Sequence, residues 1–388
     1  MPSIAPEQPE HPATGGDRTP AKRLRACRIV TTSLSARLLI RRQLEELDTI
    51  EWTLVSGDAY DDAPPGLRVE VIPMRREFSM ADVPAFFRLL GYFRRRRFDF
   101  AQTHTPKASF LGLPALRLSR TPALYTVHGA LYFRGNGRAA NVMGWVFERW
   151  CCSWADRVLV QSREDEVALP RARICPGRKV EYVGNGIQLD RFAEPVPPAF
   201  ETTRPVVLMI SRLVVEKGCL DYFAVARALC DRAEFVLVGP VEHDQRDAVD
   251  PAVVDELAGA GIVRFVGYVD DVRPYLAAAD IVVLPSYREG IPRAAMEAAA
   301  SGRPVVAYEV RGVREVIEPG TGLLVPRGDV ASLTAVVRAL LEDPARCEEL
   351  GEECRRHVRA AFNEEAVFER LRVVYRAIGR RGPARTPA

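Results

Sequence analysis

The chain has 388 residues, of which 47% are hydrophobic and 27% charged, a composition typical of soluble globular enzymes and a length sufficient for two domains. No apolar run approaches the ~18 residues that cross a bilayer, and the first residues lack the apolar stretch of a secretory signal. We therefore expect a cytoplasmic protein whose eight cysteines, none of them in a C-x-x-C pair, are reduced thiols.

The net charge of +3 is unevenly distributed along the chain. Residues 1–195 contain 29 basic and 22 acidic residues, a net charge of +7, whereas the remainder contains 25 basic and 29 acidic residues, a net charge of −4. A basic N-terminal half suits an anionic partner or an anionic membrane surface. RNA would also fit this charge, but no RNA-binding motif accompanies it, so we expect no nucleic-acid partner.

Short apolar runs alternate with helical patterns in the first half of the chain. Residues 1–25, rich in Pro, Gly, Glu and Thr, are predicted to be a disordered leader. Strands are predicted at residues 27–32, 51–56, 67–72, 99–103, 123–127, 157–161 and 179–183, and helices at residues 36–47, 83–96, 107–118, 141–154 and 163–169. This alternation predicts that residues 26–192 form a parallel sheet covered by helices, in which ligands bind beyond the carboxyl ends of the strands.

The second half repeats the alternation after a linker rich in Pro and Thr at residues 193–205. Strands are predicted at residues 206–211, 234–238, 263–266, 281–284, 304–307 and 322–325, and helices at residues 219–229, 252–258, 272–278, 293–300, 332–341 and 345–361. Residues 206–362 thus form a second domain, residues 363–380 a last helix that is free to pack back on the first domain, and residues 381–388 a tail. The predicted fold class is α/β, with two Rossmann-like, doubly wound domains facing each other across a cleft.

Residues 281–307 have the pattern of a strand, a sharp turn, a helix and a second strand. Glu289 lies in the turn and Glu297 in the helix, and a separation of eight residues places both carboxylates on roughly one side. The helix N-terminus between them presents free N–H groups and a positive dipole end. This suits a ligand with phosphate in its middle and hydroxyls at both ends, such as a nucleotide-sugar. A surface helix with two solvated glutamates is the alternative.

Two cations follow the first strand of the second half, in the segment ISRLVVEKG. Arg212 offers a fork to two oxygens, whereas Lys217, one of only four lysines in the chain, acts as a point charge. The pair suits a diphosphate at the carboxyl end of a strand. The alternative is that both are ordinary solvated loop cations.

These segments belong to an ordered series of motifs: ISRLVVEKG, VGP, VGYVDDV, PSYREGIPRAAMEAAASGRPVVA and GLLVP. The series covers the second half of the chain and resembles that of the family 4 glycosyltransferases, whose GT-B fold consists of two Rossmann-like domains. Each motif alone is weak, but their joint order and spacing are specific.

The resemblance implies a role for each matching residue. Those implied to bind the donor diphosphate are Arg212, Lys217, Gly290 and Ile291. Glu289 is implied to contact the transferred sugar as a catalytic residue, and Glu297 to bind the ribose. Residues 267–269, which include Tyr268 and Val269, are implied to line the nucleobase.

The first half resembles the same family through FDFAQTHTPKASFLGLPALR, ALYTVHGALYF and EYVGNGIQLDRF. These segments look like a bacterial subgroup that builds capsule, exopolysaccharide or lipid-linked oligosaccharide. The resemblance implies that Asn185 and Gly186 lie at the cleft, and that His128 is catalytic and reaches the sugar or its phosphate; a satisfied structural histidine is the alternative. Lys107, at a predicted helix start, is a candidate for an acceptor phosphate or else a solvated lysine.

One segment departs from the family pattern. Many members carry a glycine-rich turn after the first strand, but this chain has TTSLSARLL there. Ser33 or Ser35 would then donate hydrogen bonds or cap the helix, and we assign no donor contact to this loop.

Two segments of the first half combine apolar and basic residues. The predicted helix at residues 83–96 runs into four arginines at residues 94–97, so it either rests on an anionic membrane or packs on the core with a solvated basic end. Residues 132–150, which include Trp145 and Phe147, belong either to the core or to an acceptor contact. If the helix at residues 83–96 rests on an anionic membrane, we expect the protein at the inner face of the cell membrane.

The expected function is that of a retaining glycosyltransferase in the synthesis of cell-surface polysaccharide or glycolipid. The resemblance favours a UDP-sugar donor and a saccharide or polyprenyl-diphosphate-linked acceptor, with the donor phosphate itself accepting the acceptor's proton. No D-x-D motif stands out near the predicted site, so we expect metal-independent transfer without a cofactor, the donor being a co-substrate. No feature of the sequence indicates the oligomeric state.

Other functions are compatible with parts of the sequence. A UDP-sugar epimerase shares the two-domain architecture, and a non-catalytic nucleotide-sugar-binding protein would keep the fold without turnover. A dinucleotide oxidoreductase would need G-x-G-x-x-G after the first strand, where this chain has TTSLSARL.

Overall fold

The computed structural model describes residues 23–75, 77–133, 137–241, 247–317 and 323–379. The predicted tail at residues 381–388 and the predicted leader up to residue 22 lie outside this part of the chain. The described residues form two sheets in which all paired strands are parallel. The predicted α/β class with two doubly wound domains is therefore confirmed.

The first sheet is built from β1 (Leu24–Ile29), β2 (Ile50–Ser56), β3 (Arg68–Val71), β4 (Phe100–Thr103), β5 (Ala123–Val127), β6 (Arg157–Val160) and β7 (Val180–Tyr182). The strand order is β3-β2-β1-β4-β5-β6-β7. The helices of this domain are α1 (Ser33–Leu39), α2 (Arg41–Glu46), α3 (Asp82–Arg95), α4 (Pro106–Leu118), α5 (Arg138–Trp154) and α6 (Arg163–Arg171). Because alternate residues of a strand face opposite sides, Cys27 and Ile29 enter one core and Ala26 and Val30 the other.

A short helix, α7 (Leu189–Ala193), precedes the second sheet. The strands of this sheet are β8 (Val206–Ile210), β9 (Glu234–Val238), β10 (Arg264–Gly267), β11 (Ile281–Leu284), β12 (Val305–Tyr308) and β13 (Leu323–Val325), in the order β10-β9-β8-β11-β12-β13. The helices are α8 (Cys219–Leu229), α9 (Pro251–Gly259), α10 (Arg273–Ala278), α11 (Arg293–Ala300), α12 (Val313–Val316), α13 (Val330–Glu342) and α14 (Pro344–Ala361). Its central strands are continuous apolar runs because helices cover both faces.

The last helix, α15 (Glu364–Gly379), packs on the first sheet rather than on the second. Tyr375 stacks on Phe100 of β4, with ring centroids 4.8 Å apart, and meets Trp52 of β2 edge-on. The chain therefore returns to its first domain at its end. In the described part of the chain, no helix combines the length and the apolar character needed to cross a membrane.

Some element boundaries differ from the sequence prediction. β1 begins at Leu24, inside the predicted leader, and Leu24 packs against Gly379 of α15, a contact that no local pattern encodes. The predicted helix at residues 36–47 is two helices, because Ile40 between them has a φ of −136°. α12 was not predicted, since its four residues are too few to show a helical period.

The strand orders position the loops of the cleft. In each sheet the strand order reverses at one place, between β1 and β4 in the first and between β8 and β11 in the second. Loops at the carboxyl ends of such neighbouring strands diverge and leave a crevice. His104 and His128, which follow β4 and β5, line a cavity together with Arg212 and Glu289, which follow β8 and β11.

Candidate active site

Two cavities lie between the domains, and both are lined by His128, Glu289 and Gly290. The first cavity has a volume of about 230 Å³ and the second about 210 Å³. The first is also lined by His104, Thr105, Pro106, Tyr125, Thr126, Gly129, Ala130, Leu131, Glu148, Arg212, Glu216, Lys217, Arg288 and Arg311. The second is also lined by Leu38, Leu39, Arg42, Gln43, Gln161, Asn185, Gly186, Ile291, Arg293, Glu364, Val367 and Phe368.

Arg212 and Lys217, the predicted diphosphate ligands, both line the first cavity on the loop after β8. Lys217 donates from Nζ to Oε1 of Glu289 at 2.7 Å. Both side chains of this ion pair are mostly shielded from water, so removal of one would leave the other charge uncompensated. The fold thereby brings Glu289, the predicted sugar contact, next to the cation loop.

Two glycines allow the loops of the site to approach this closely. Gly218 ends the cation loop with a φ of 75°, and a Cβ there would lie 1.9 Å from the carbonyl oxygen of Pro285. A Cβ on Gly290 would lie 1.9 Å from the carbonyl oxygen of His128 in the other domain. Gly290 is thus a point of direct backbone contact between the domains.

The start of α11 borders the second cavity through Ile291 and Arg293. The side chain of the N-cap residue, Pro292, has no hydrogen-bond acceptor and does not cap the helix. The first backbone N–H groups of a helix need acceptors from outside it, so this helix start suits an anionic group.

A chain of hydrogen bonds links the two histidines of the first cavity. His128 contacts Oε1 of Gln161 through Nδ1 and His104 through Nε2, each at 3.2 Å. The amide oxygen of Gln161 only accepts, so Nδ1 of His128 carries the proton and Nε2 accepts from Nδ1 of His104. Burial lowers the pKa of His128 to about 4 and lowers the pKa of His104 well below its usual range. Both rings are therefore neutral near pH 7.

His104 was not predicted as a site residue. Its remaining ring nitrogen, Nε2, is buried without a hydrogen-bond partner among the described residues, and the residue lines the first cavity. A neutral imidazole with a free acceptor nitrogen can accept a hydrogen bond from a hydroxyl group. The available signal was its place after β4, one strand away from the equivalent place of His128.

Glu148, on α5, is a second residue that sequence reasoning missed. It lines the first cavity and accepts hydrogen bonds from the Tyr125 hydroxyl at 2.9 Å and the Leu131 N–H at 3.0 Å. Burial raises the pKa of Glu148 to about 7, and these hydrogen bonds act in the opposite direction. Glu148 is the single carboxylate of an otherwise apolar and basic helix, which was the signal for it.

Arg311 crosses the cleft from the second domain into the first. It forms an ion pair with the buried carboxylate of Asp165 at 2.9 Å and donates hydrogen bonds to the carbonyl oxygens of Ala130 and Tyr132. It therefore closes one side of the first cavity. Nothing in the local sequence around Arg311 distinguishes it from the many other arginines of the chain.

The predicted ribose and nucleobase contacts lie outside the lining of these two cavities. Glu297, on α11, is mostly buried and accepts a hydrogen bond from Nε of Arg293 at 2.7 Å. Tyr268 is exposed and donates to Asp270 at 3.2 Å, whereas Val269 packs on the core of the second domain. The structure thus separates the two glutamates of the predicted motif: Glu289 borders both cavities, and Glu297 lies further along α11.

Asn185 and Gly186, predicted to lie at the cleft, both line the second cavity. Nδ2 of Asn185 donates to Gln161, the partner of His128, at 3.5 Å. The backbone of Gly186 lies against that of Asn363 and Glu364, where the chain leaves the second domain. This loop therefore contacts both Gln161, which is hydrogen-bonded to His128, and the start of α15, where the chain returns to the first domain.

The structure corrects the prediction for Lys107. Its side chain is only 3% exposed, forms an ion pair with Asp82 of α3 and lies 4.2 Å from the ring centroid of Phe78. It is neither a solvated lysine nor part of the lining of either cavity, so its charge is not available to an acceptor phosphate there. The local sequence could not show this burial, because the carboxylate that pairs with Lys107 comes from another helix, α3.

Three aspartates outside the lining of the two cavities are engaged with arginines. Asp62 pairs with Arg41 and Asp270 with Arg37, each at 2.8 Å. Asp271 binds Arg273, and the hydrogen bonds from this arginine lower the pKa of Asp271 to about 2. Within the part of the chain that the structure describes, no group of three potential metal ligands comes together.

Two family models match the chain. The model described as Glycosyl transferase 4-like domain matches residues 21–186, and the model described as Glycosyl transferases group 1 matches residues 204–343. Together they cover both sheets and the site between them.

Named relatives agree with these models. A putative glycosyltransferase, EpsD, of Bacillus subtilis is 26% identical over 326 residues, which are 79% of this chain and 84% of the relative. The N,N'-diacetylbacillosaminyl-diphospho-undecaprenol alpha-1,3-N-acetylgalactosaminyltransferase of Campylobacter jejuni is 27% identical over 335 residues, 79% of this chain and 86% of the relative. The structure of Anabaena Alr3699/HepE in complex with UDP and glucose superimposes with a TM-score of 0.76 at 19% identity, covering 91% of this chain and 100% of that one.

Proposed function

The chain belongs to the family 4 glycosyltransferases of the GT-B fold, and from this premise we propose that it transfers a sugar from a UDP-sugar to a lipid-linked saccharide with retention of configuration. The observation that carries the proposal is the first cavity, where Arg212, Lys217 and Glu289 of one domain lie opposite the histidines of the other. The transfer serves cell-surface polysaccharide or glycolipid synthesis. A UDP-sugar epimerase, the main alternative, receives no support from the matched families.

The donor diphosphate is proposed to lie where the two cavities meet. Arg212 and Lys217 supply two cations on one side, and the N–H groups of Gly290 and Ile291 supply donors on the other. Lys217 has two further N–H donors besides the one that binds Glu289, so it can hold a phosphate oxygen and the carboxylate together. Glu297 remains the proposed ribose ligand, and residues 267–269 the proposed nucleobase wall.

Sugar transfer develops negative charge on the leaving diphosphate and positive charge on the sugar ring. The cations and the helix start stabilise the first charge, and the carboxylate of Glu289 stabilises the second. In this proposal the departing phosphate oxygen takes the proton of the acceptor hydroxyl as that hydroxyl attacks from the same face. The two histidines stay neutral, so they orient hydroxyl groups without adding charge. The cations take the role that a metal ion would have, and no cofactor is required.

A lipid-linked acceptor is supported by the Campylobacter relative, whose name specifies a diphospho-undecaprenol acceptor, and UDP by the complex of the Anabaena protein. The acceptor saccharide is proposed to enter the first cavity from the first domain, past Tyr125 and Glu148. Carboxylates and neutral imidazoles are suitable partners for sugar hydroxyls.

The direct test is the double variant Arg212→Ala/Lys217→Ala, assayed for UDP release and sugar incorporation with a panel of nucleotide-sugars, with and without a membrane extract. We expect transfer to fall by about a hundredfold or more, because preorganised donors to a developing charge are worth that much individually. Arg338→Ala, on the exposed side of α13, is the matched control and should keep the wild-type rate. Near-normal transfer by the double variant would contradict the diphosphate assignment, and an inverted anomeric configuration in the product would contradict retention.

A further inference from the structure

The outer surface of the first domain carries apolar side chains that face solvent. On α5, Val142 and Met143 are 63% and 69% exposed, and Val146 and Trp150 continue the same side of the helix at spacings of three and four residues. Glu148 lies on the opposite side of α5 and lines the first cavity. One helix therefore joins the candidate site to the solvent-exposed apolar surface.

The surface extends over the approach to α3. Met80 and Phe87 are 85% and 62% exposed, and Phe78 and Val83 lie exposed beside them. Phe110 of α4 bridges the two parts, because its ring centroid lies 5.1 Å from that of Phe78 and 5.6 Å from that of Trp150. We call this surface the apolar face; its members are Phe78, Met80, Val83, Phe87, Val142, Met143, Val146 and Trp150.

The segment that carries the apolar face is strongly basic. Residues 78–154 contain eleven basic side chains and three acidic ones. Each acidic side chain is already engaged: Asp82 with Lys107, Asp99 with the Arg25 N–H, and Glu148 with the Tyr125 hydroxyl. Arg88 and the four arginines at residues 94–97 are exposed and form no ion pair with any carboxylate that the structure describes.

We propose that the apolar face and these arginines dock on the surface of an anionic lipid bilayer. Exposed apolar side chains on a contiguous patch indicate a binding surface, and the arginines on and just after α3 attract anionic headgroups. A second copy of this chain fits less well, because a symmetric contact would oppose arginines to arginines without carboxylates between them. The charge therefore selects lipid over self-association.

Docking through the apolar face would bring the candidate site close to the membrane surface. Pro106 at the start of α4 lines the first cavity, and Phe110, one turn further on, lies under the apolar face. A lipid-linked saccharide held in the bilayer would then reach the cavity without leaving the membrane. This consequence rests on the proposed function, whereas the docking itself does not.

Vesicle binding measures the docking without any sugar transfer. The purified full-length protein is sedimented with vesicles of phosphatidylglycerol and phosphatidylcholine, and separately with vesicles of phosphatidylcholine alone. We expect binding to the anionic vesicles only, weakened by salt. Met143→Ser/Val146→Ser and Arg94→Gln/Arg95→Gln/Arg97→Gln should each lower the partition coefficient by about tenfold or more. The first variant loses apolar burial in the bilayer, and the second loses the attraction of three arginines to anionic headgroups.

Matched controls carry the same changes elsewhere on the surface. Val373→Ser, at an equally exposed valine of α15, and Arg356→Gln/Arg359→Gln, at exposed arginines of α14, should bind vesicles like the wild type. Equal binding by the face variants and their controls, or equal binding to neutral vesicles, would overturn the proposal. So would a dimer in light scattering that Met143→Ser/Val146→Ser abolishes. Hydrolysis of the donor without acceptor should be unchanged in the face variants, so a failure of docking is distinguishable from a failure of the proposed function.

Discussion

Gly290 shows how one residue can decide whether the two domains meet. It follows Glu289 in the turn after β11, and its main chain lies against the carbonyl oxygen of His128 from the other domain. The position has no space for a side chain, although its sequence context only indicates a turn before a helix. The proposed donor contacts and the domain contact therefore involve the same pair of neighbouring residues.

Gly290→Ala should separate donor binding from turnover. The new Cβ would lie 1.9 Å from the carbonyl oxygen of His128, so the domains cannot approach to the distance seen here. We expect kcat to fall by about a hundredfold, as for a misplacement of about 1 Å at a reacting centre. Titration calorimetry should show donor affinity within a few-fold of wild type, because Arg212 and Lys217 are untouched and alanine keeps the backbone N–H at position 290. Gly259→Ala, with open space around its Cβ, is the control, and an unchanged kcat in Gly290→Ala would contradict the close contact.

Glu148 makes stability depend on pH in an identifiable direction. Its pKa in the folded protein is about 7, above the ordinary glutamate value of 4.5, because burial disfavours the charged form. The folded state therefore keeps the proton over a range in which the unfolded chain has released it. The stabilisation is fully present below the unfolded pKa and is lost as the pH rises through about 7.

Urea unfolding of wild type and Glu148→Gln at pH 5 and pH 8 measures this effect. Relative to the variant, the wild type should lose about 2 to 3 kcal/mol of unfolding free energy between the two pH values, since each pKa unit is worth about 1.4 kcal/mol. Glu369→Gln, at an exposed carboxylate of α15, should show no such pH-dependent difference from wild type. A wild type that gains unfolding free energy relative to Glu148→Gln between pH 5 and pH 8 would show that the sign is wrong.

At the scale of elements, α15 supports the first sheet through a polar contact inside the core. Arg28 of β1 is fully buried, lies 4.3 Å from the ring centroid of Trp52 and donates from Nη2 to the Tyr375 hydroxyl at 3.1 Å. That hydroxyl donates to Gln102 of β4 at 2.7 Å. A buried guanidinium with this single side-chain hydrogen bond among the described residues depends strongly on the helix that provides it.

Tyr375→Phe should release α15 from the sheet before the second domain is affected. Loss of the hydroxyl leaves Arg28 without its hydrogen bond, at a cost of about 2 to 3 kcal/mol for a charged group. Hydrogen exchange should accelerate in α15, β1 and β4, with no change in β8 to β13. Tyr268→Phe is the exposed control.

The double variant Arg28→Met/Tyr375→Phe tests the cause. Replacing both partners by apolar groups removes the unsatisfied charge, so most of the protection should return. If the double variant exchanges faster than Tyr375→Phe, the guanidinium is not the source of the loss.

For the molecule as a whole, a second set of hydrogen bonds holds the two domains together beside the candidate site. Glu315, in α12 of the second domain, accepts hydrogen bonds from the Ser162 hydroxyl and from the N–H groups of Arg163 and Glu164, the latter two at 3.0 Å. These groups form the start of α6, where a carboxylate also benefits from the helix dipole. Glu164 in turn binds Arg314 at 2.9 Å.

Glu315→Ala should shift the molecule toward an open arrangement of its domains. Hydrogen bonds to a charged group contribute about 1.5 to 3 kcal/mol, so the ratio of closed to open molecules should fall by about tenfold or more. Small-angle X-ray scattering should show a larger radius of gyration for the free variant, and saturating donor should reduce it. Glu309→Ala, at an exposed carboxylate nearby, is the control; identical scattering from Glu315→Ala and wild type would contradict the fastening.

The kind and order of most elements can be predicted from the sequence, because hydrophobic periodicity is local and depends on which faces each segment buries. It also placed Arg212, Lys217 and Glu289 correctly at strand ends of one sheet, since parallel strands present their carboxyl ends on one edge. The family followed from the same local motifs, and the matched models confirm it.

Which side chains meet across the cleft depends on how the elements pack and could not be predicted from local patterns. Lys107 had the local features of an anion ligand. In the fold, however, α3 supplies Asp82, which pairs with Lys107, and the lysine is buried. His104, Glu148 and Arg311 carry no local signal strong enough to select them, yet they line the same cavity as His128. The physical reason is that an ion pair or a hydrogen bond depends on distance in space, which the packing of whole elements sets, whereas the pattern along the chain records only burial and backbone preference.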